Sequence, residues 1–170
     1  MKLFVLKDDE TSAIKKWFDW IHDESQRGER ARLRRCTTLD EVLLQPAFYR
    51  LCQPLPRLEK FALEGLALIA GLLALVKTQV DSPLPELLAN KGADKPVFSE
   101  LRFQRLLASD DPADFFKLMR RAIVQGGEKA NPVLLADDIL HWYQQYRHPD
   151  WYRGQRQWQY RFAKPYYTHI

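Results

Sequence analysis

The 170-residue sequence is poor in cysteine and in glycine, and both shortages limit its chemistry. Cys36 and Cys52 are too few for a disulfide framework or a four-cysteine zinc site, so two reduced thiols are expected. The seven glycines are scattered and form neither a GxGxxG nor a P-loop pattern, so nucleotide phosphates have no backbone cradle. GxSxG and HExxH motifs are also missing. The sequence therefore predicts a protein with no enzymatic activity, no cofactor and no metal.

Long hydrophobic runs are missing as well. The longest run, residues 65–76, is shorter than the ~18–20 apolar residues that cross a bilayer. The run at residues 3–6 is too short for a signal peptide, which needs about 7–15 apolar residues. These features predict a cytoplasmic protein with no membrane partner.

Positive charge is unevenly distributed along the chain. The formal net charge is +4, and residues 142–170 contain five Lys or Arg residues against Asp150 alone. Five arginines also crowd into nine residues with only Glu29 opposing them. They are Arg27, Arg30, Arg32, Arg34 and Arg35. Such clusters indicate a polyanionic partner better than the overall charge does.

The apolar pattern predicts helices throughout. Ile14, Trp17, Phe18 and Ile21 have the spacing of an amphipathic first helix. Residues 57–80 are helical throughout in pattern and apolar nearly all round in their second half, which is typical of a central core helix. Alternating β-branched runs are missing, so a sheet is not expected.

Composition changes in the middle of the chain indicate its organisation. Residues 81–96 contain three prolines and mixed charge, with one short helix expected at 84–89. The sequence therefore predicts a compact, two-lobed all-α bundle. Its parts are a lobe at 1–80, a connector at 81–96 and a lobe at 97–170 that ends in an aromatic-basic tail.

Two polar clusters leave a metal-dependent phosphohydrolase as an alternative. His22-Asp23 is the dipeptide of such enzymes, although the upstream histidine that their site needs is missing. Asp137, Asp138 and His141 share one side of a helix, where a divalent metal could bind. The ordinary interpretation of that trio is a polar cluster on a helix surface.

The arginines are the strongest functional signal. A guanidinium group offers a fork of donors that matches phosphate oxygens, so several on one helix side favour nucleic-acid backbone over bases. Arg27, Arg30 and Arg34 would share such a side. A later helix has an outward stripe of Lys117, Arg120 and Arg121, for which the ordinary interpretation is a solvated face.

The tail mixes aromatic and basic residues, which suits stacking on unpaired bases or packing and subunit contact. We favour packing and subunit contact. The residues are Trp142, Trp151 and Trp158 with Arg147, Arg153, Arg156 and Arg161.

Several motifs in order resemble a known family. They are RRCTTLDEV at 34–42, PAFYRL at 46–51, QP at 53–54, SELRF at 99–103 and LMRR at 118–121. This series resembles the small subunit of the type I-E CRISPR Cascade complex, the CasB family. The resemblance implies a two-lobed helical protein that pairs with a second copy, assembles with the other Cascade subunits and performs no chemistry.

The resemblance also implies contact with CRISPR RNA and target DNA, including the displaced strand of the R-loop. The basic residues that it places at nucleic acid are Arg34, Arg35, Arg57, Arg102 and Arg120, with Arg50 in the FYRL motif. Charge and helix face add Arg27, Arg30, Lys77, Arg105 and Arg121. The main alternative is a helix-turn-helix regulator, although its base-reading side chains would lie on one recognition helix, whereas these arginines lie on several.

Overall fold

The computed structural model describes residues 2–170, which form eleven α-helices, three single-turn 3-10 helices and one pair of two-residue strands. The expected all-α fold is confirmed. The helices are α1 (Asp8–Ile21), α2 (Arg27–Arg35), α3 (Leu39–Val42), α4 (Pro46–Cys52), α5 (Pro56–Phe61), α6 (Leu63–Leu73), α7 (Leu84–Ala89), α8 (Glu100–Leu107), α9 (Pro112–Gln125), α10 (Pro132–Arg147) and α11 (Trp158–His169). The 3-10 turns are Glu24–Gln26, Pro149–Trp151 and Gly154–Arg156, and the strands are β1 (Thr78–Gln79) and β2 (Lys129–Ala130).

Helix α6 is the centre of the molecule. All residues from Gly65 to Leu73 are buried, and α6 contacts α3, α4, α9 and α10. A helix that is apolar all round is stable only when every side of it is buried, so the sequence pattern explains why α6 lies in the centre. Gly71 allows the closest approach, because a Cβ there would lie 2.8 Å from the ring of Phe116 on α9.

The prediction of one helix across residues 57–80 is wrong. Ala62 has φ −141° and ψ 43°, which separates α5 from α6, and α6 ends at Leu73. Beyond it, the N–H groups of Lys77 and Thr78 donate to the main-chain oxygen of Glu128, and β1 then pairs in parallel with β2. Hydrogen bonds to a distant segment therefore override the local helical pattern, and they produce the small strand pair that was not expected.

One side of α11, in the aromatic tail, packs inside the molecule. Trp158, Phe162 and Tyr166 are buried along α11, and the Tyr166 hydroxyl donates to the oxygen of Phe98 at 2.6 Å. Helix α7 has the predicted bounds 84–89 and packs against α11. The division into lobes at residues 81–96 stays a prediction.

Across residues 2–170, every helix is too short or too polar to cross a bilayer.

Candidate nucleic-acid interface

Helices α2 and α9 meet at a contact between two residues that are 86 positions apart in the chain. Arg120 on α9 donates from Nη2 to the main-chain oxygen of Arg34 at 2.7 Å. This oxygen belongs to the last turn of α2, where helix carbonyls lack intrahelical partners and the helix dipole is negative. A cation of α9 thus satisfies the end of α2 and brings the two basic helices together.

Two grooves line this junction. The first, here the α2 groove, is lined by Arg27, Arg30 and Arg34 on one side of α2, together with His22, Ala31 and Lys77. Burial lowers the pKa of His22, so this ring adds no charge to the groove near neutral pH. The second, the α9 groove, is lined by Thr37, Ala113, Lys117, Arg120, Arg121, Val124 and Gln125.

Arg34 has a structural position within the α2 groove. Its Nη1 donates to the main-chain oxygens of Ala74 and Leu75, both at 3.1 Å, and its Nη2 lies 3.1 Å from Glu128 Oε2. Glu128 Oε2 is also 3.4 Å from Lys77 Nζ. Arg34 therefore attaches α2 to the end of α6 and to the segment before β2, and Glu128 already balances its charge.

The other cations at the junction are freer. Arg30, Arg35, Lys117 and Arg121 form no ion pair with any residue between 2 and 170. Arg27 lies 3.7 Å from Glu24, and both side chains are more than 70% exposed. We give the name basic face to the cations that line the two grooves, apart from Arg34. They are Arg27, Arg30 and Lys77 at the α2 groove with Lys117, Arg120 and Arg121 on α9. Arg35 is exposed at the end of α2 and lines neither groove.

Arg102 is the one α8 residue among the predicted contacts that reaches this region. Its Nη1 donates to Gln125 Oε1 at 3.0 Å, at the rim of the α9 groove. Arg105, also on α8, is exposed and lines neither groove.

Arg50 and Arg57 lie elsewhere. The guanidinium of Arg50 lies 4.2 Å from the ring of Trp20. Arg57 Nε donates to Glu10 Oε2 at 2.8 Å, and its Nη2 donates to the main-chain oxygen of Val5 at 3.0 Å. Burial alone would raise the pKa of Glu10, but hydrogen bonds from Arg57 and the Lys7 N–H lower it. Arg57 therefore holds α5 against the start of α1.

The structure thus brings together six of the predicted contacts, with Arg102 at the edge. The six are Arg27, Arg30, Arg34, Lys77, Arg120 and Arg121. Lys117 was noted as outward-facing but was not among the predicted contacts. Its spacing of four residues from Arg121, which places both on one helix side, was the signal. Thr37 and Gln125 also line the α9 groove, and no sequence pattern points to them.

The expectation that Asp137, Asp138 and His141 form a surface cluster is wrong, because all three are buried. Arg161 on α11 meets both carboxylates, with Nη1 2.8 Å from Asp137 and Nε 3.0 Å from Asp138. Burial raises the pKa of Asp138 to about 7 and lowers that of His141 to about 4.

Main-chain groups complete this cluster. The N–H groups of Phe4, Val5 and Leu6 donate to the Asp137 carboxylate at 2.8–2.9 Å, and His141 Nε2 lies 2.8 Å from the oxygen of Arg156. The carboxylates therefore bind a guanidinium and main-chain N–H groups where a phosphohydrolase would bind its metal. No set of three or more His, Cys, Asp or Glu side chains within residues 2–170 could hold a metal ion.

A sequence model of the family described as CRISPR-associated protein Cse2 matches residues 29–167. This chain belongs to the Cse2 family. Cse2 is the CasB small subunit of the type I-E complex, so the resemblance found in the sequence is confirmed. Family membership makes the chain a Cascade subunit and replaces the helix-turn-helix alternative.

A solved structure has the same fold. The Cse2 chain is similar to a chain of E. coli Cascade bound to a PAM-containing double-stranded DNA target with a 32-nucleotide spacer. The two are 22% identical with a TM-score of 0.69, and the match covers 97% of this chain and all of the other. No curated protein sequence matches the chain.

Proposed function

We propose that this Cse2 chain is a non-catalytic subunit of an RNA-guided complex that holds nucleic-acid backbone on its basic face. The observation that carries the proposal is the junction of α2 and α9, where two grooves gather the six cations of the basic face from three separate stretches of sequence. Among them only Arg27 and Lys77 approach a carboxylate, at 3.7 Å and 3.4 Å. A polyanion would supply the missing negative charge.

The composition of the two grooves favours phosphate over bases. Guanidinium and ammonium groups match phosphate oxygens, whereas unpaired bases are usually held by stacking on aromatic rings. No Phe, Tyr or Trp lines either groove within the part of the chain described. Contacts of this kind position a strand without reading its sequence.

Within the assembled complex, we propose that the strand is target DNA, either displaced or paired with CRISPR RNA. The similar fold in a Cascade complex bound to double-stranded DNA supports this choice. An R-loop exchanges one duplex for another of similar stability, so a few phosphate contacts can shift the balance. The subunit would then stabilise the R-loop, and, as the family resemblance implies, a second copy would extend the contact along the strand.

The test replaces one cation without an ion pair in each groove, Arg30→Ala with Lys117→Ala, in the assembled complex. Affinity for single strands of unrelated sequence should fall by similar factors, and the slope of log affinity against log salt should flatten by about 0.7 for each lost contact. R-loop formation should weaken, while guide loading and helix content stay unchanged. Arg34 is spared because its loss would disturb the fold.

The matched control removes two exposed lysines that line neither groove, Lys15→Ala with Lys60→Ala. It should leave affinity nearly unchanged. Equal losses in the two double variants would mean that general charge, rather than the basic face, attracts the strand. A change in sequence preference in the first variant would mean base reading and would contradict backbone contact.

A further inference from the structure

A third groove has a different character from the basic face. Aromatic rings line it, and it shares no lining residue with the α2 or α9 groove. We call it the aromatic groove, with Phe4, Arg57, Phe61, His148, Trp151 and Tyr152 in its lining. Phe4, Phe61 and Trp151 are 45%, 41% and 58% exposed, although large rings are normally buried when nothing binds them.

Trp151 is held as a flat platform. It ends the 3-10 turn Pro149–Trp151, in which its N–H donates to the oxygen of His148 at 3.0 Å. The indole stacks on the His148 ring, with centroids 3.9 Å apart and planes 9° from parallel. Since His148 covers one face and the residue remains 58% exposed, the opposite face is available to a second flat group.

Positive charge is interleaved with these rings. The guanidinium of Arg57 lies 5.1 Å from the Phe61 ring, that of Arg156 lies 5.9 Å from Tyr152, and that of Arg161 lies 4.6 Å from Phe4. Arg156, beside Tyr152, and Arg147, which precedes His148 in the chain, are exposed and have no carboxylate partner within residues 2–170. Arg153 pairs loosely with Asp150 on the surface. Arg57 and Arg161 are already paired, with Glu10 and with Asp137 and Asp138, so the free positive charge beside these rings is that of Arg156.

We propose that the aromatic groove binds unpaired bases of single-stranded nucleic acid, with one base stacked on Trp151 and the flanking phosphates at Arg147 and Arg156. Stacking platforms next to cations suit single strands of any sequence. An apolar protein surface fits less well, because it would cover exposed Arg156, which has no carboxylate partner within residues 2–170, and remove its charge from water. This inference rests on the proposed function in one respect, that the chain meets nucleic acid, and it adds a base contact to a backbone contact.

The test separates bases from phosphates. The purified full chain is titrated at low salt with oligo-dT and with an abasic oligonucleotide of equal length and charge. We expect oligo-dT to bind at least about fivefold more tightly, the effect of one stacked base. Trp151→Ala should remove this preference, and Trp151→Phe should retain part of it.

Two controls accompany these variants. Tyr49→Ala removes an equally exposed ring, 56% accessible, outside the aromatic groove, and should keep the preference. Arg30→Ala with Lys117→Ala should weaken the binding of both oligonucleotides by the same factor. Circular dichroism and thermal unfolding should show every variant folded.

Each outcome bears on the proposal for the aromatic groove. Equal affinity for the two oligonucleotides, or a preference that survives Trp151→Ala, overturns stacking and leaves the basic face standing. No binding of either oligonucleotide overturns the proposal for the aromatic groove, while the basic face is judged separately by R-loop formation in the assembled complex. If Trp151→Ala keeps the preference but no longer co-purifies with the other Cascade subunits, the groove contacts protein and the inference is wrong.

Discussion

Arg161, Asp137 and Asp138 form an ion cluster in the interior, between α10, α11 and the segment before α1. Arg161 is 12% exposed and both carboxylates are less so. Charges in such a place are tolerated only when they are paired and hydrogen-bonded, and here Asp137 also accepts three main-chain N–H groups. The cluster therefore fixes how α11 sits on α10.

Asp138 and His141 change the stability of the folded protein in opposite directions as pH rises. The folded-state pKa of Asp138, about 7, lies above its ordinary value, so its contribution to stability falls as pH rises from about 4 to 7. The folded-state pKa of His141, about 4, lies below its ordinary value, so its contribution rises between about pH 4 and 6.5. The two effects oppose each other in the wild-type protein.

Single substitutions should reveal each effect. Relative to wild type, the free energy of unfolding of Asp138→Asn should rise with pH between about 4 and 7, and that of His141→Gln should fall between about 4 and 6.5. The limiting slope is about 1.4 kcal/mol per pH unit for one proton. Urea denaturation at several pH values measures both, and curves that stay parallel to wild type would contradict the assignment.

Residue type and spacing predicted where positive charge would lie, but not which cations are free. Arg34 and Arg57 look like Arg30 and Arg35 in the sequence. The difference lies in partners that are remote in the chain, since Glu128 is 94 residues from Arg34 and Glu10 is 47 residues from Arg57. Tertiary structure therefore decides which of these cations are paired and which are free.

At the scale of elements, some helix ends have a local signal in the sequence and others do not. Asp111 and Asn131 cap α9 and α10 with their side chains, and each is followed by proline, a local combination that marks a helix start in the sequence itself. The break at Ala62 and the strand pair beyond Leu73 have no such signal. The strand pair depends on hydrogen bonds to Glu128 and Ala130, which only the folded chain brings near.

The contact between α6 and α9 can be tested at Gly71. In Gly71→Ala the new Cβ would lie 2.8 Å from Phe116, a ring that is 1% exposed and cannot move aside, so unfolding should become easier by about 1–3 kcal/mol. Chemical denaturation measures the change.

Gly28→Ala is the matched control. Nothing lies within 4 Å of its added Cβ, and alanine is the better helix former by up to about 1 kcal/mol, so α2 should be stabilised. A Gly71 variant as stable as this control would mean that α6 and α9 do not approach so closely.

At the scale of the whole molecule, one apolar cluster runs from Leu6 to Tyr166. Helix α6, from the first predicted lobe, packs against α9 and α10 from the second. The sequence predicted the family and the helical class, because the order of the motifs and the apolar periodicity can be read from the sequence alone. The junction of α2 with α9 could not be predicted, because no local pattern states which helices become neighbours.

Calorimetry tests how the two predicted lobes are related. Because α6 and α10 share one core, we expect a single unfolding transition with equal calorimetric and van't Hoff enthalpies. Two resolved transitions would instead mean that residues 1–80 and 97–170 melt as separate units.

The contacts of the Asp137 carboxylate also limit the order in which parts of the chain can pack during translation. The segment 4–6 emerges from the ribosome early, yet its main-chain N–H groups find their acceptor only after α10 has been made. Arg161 follows later still, so the nascent chain carries two carboxylates without their counter-ion until α11 is available. Helix α1 can pack on α4 and α5 before then, but the attachment of segment 4–6 to α10 is among the last steps of folding during translation.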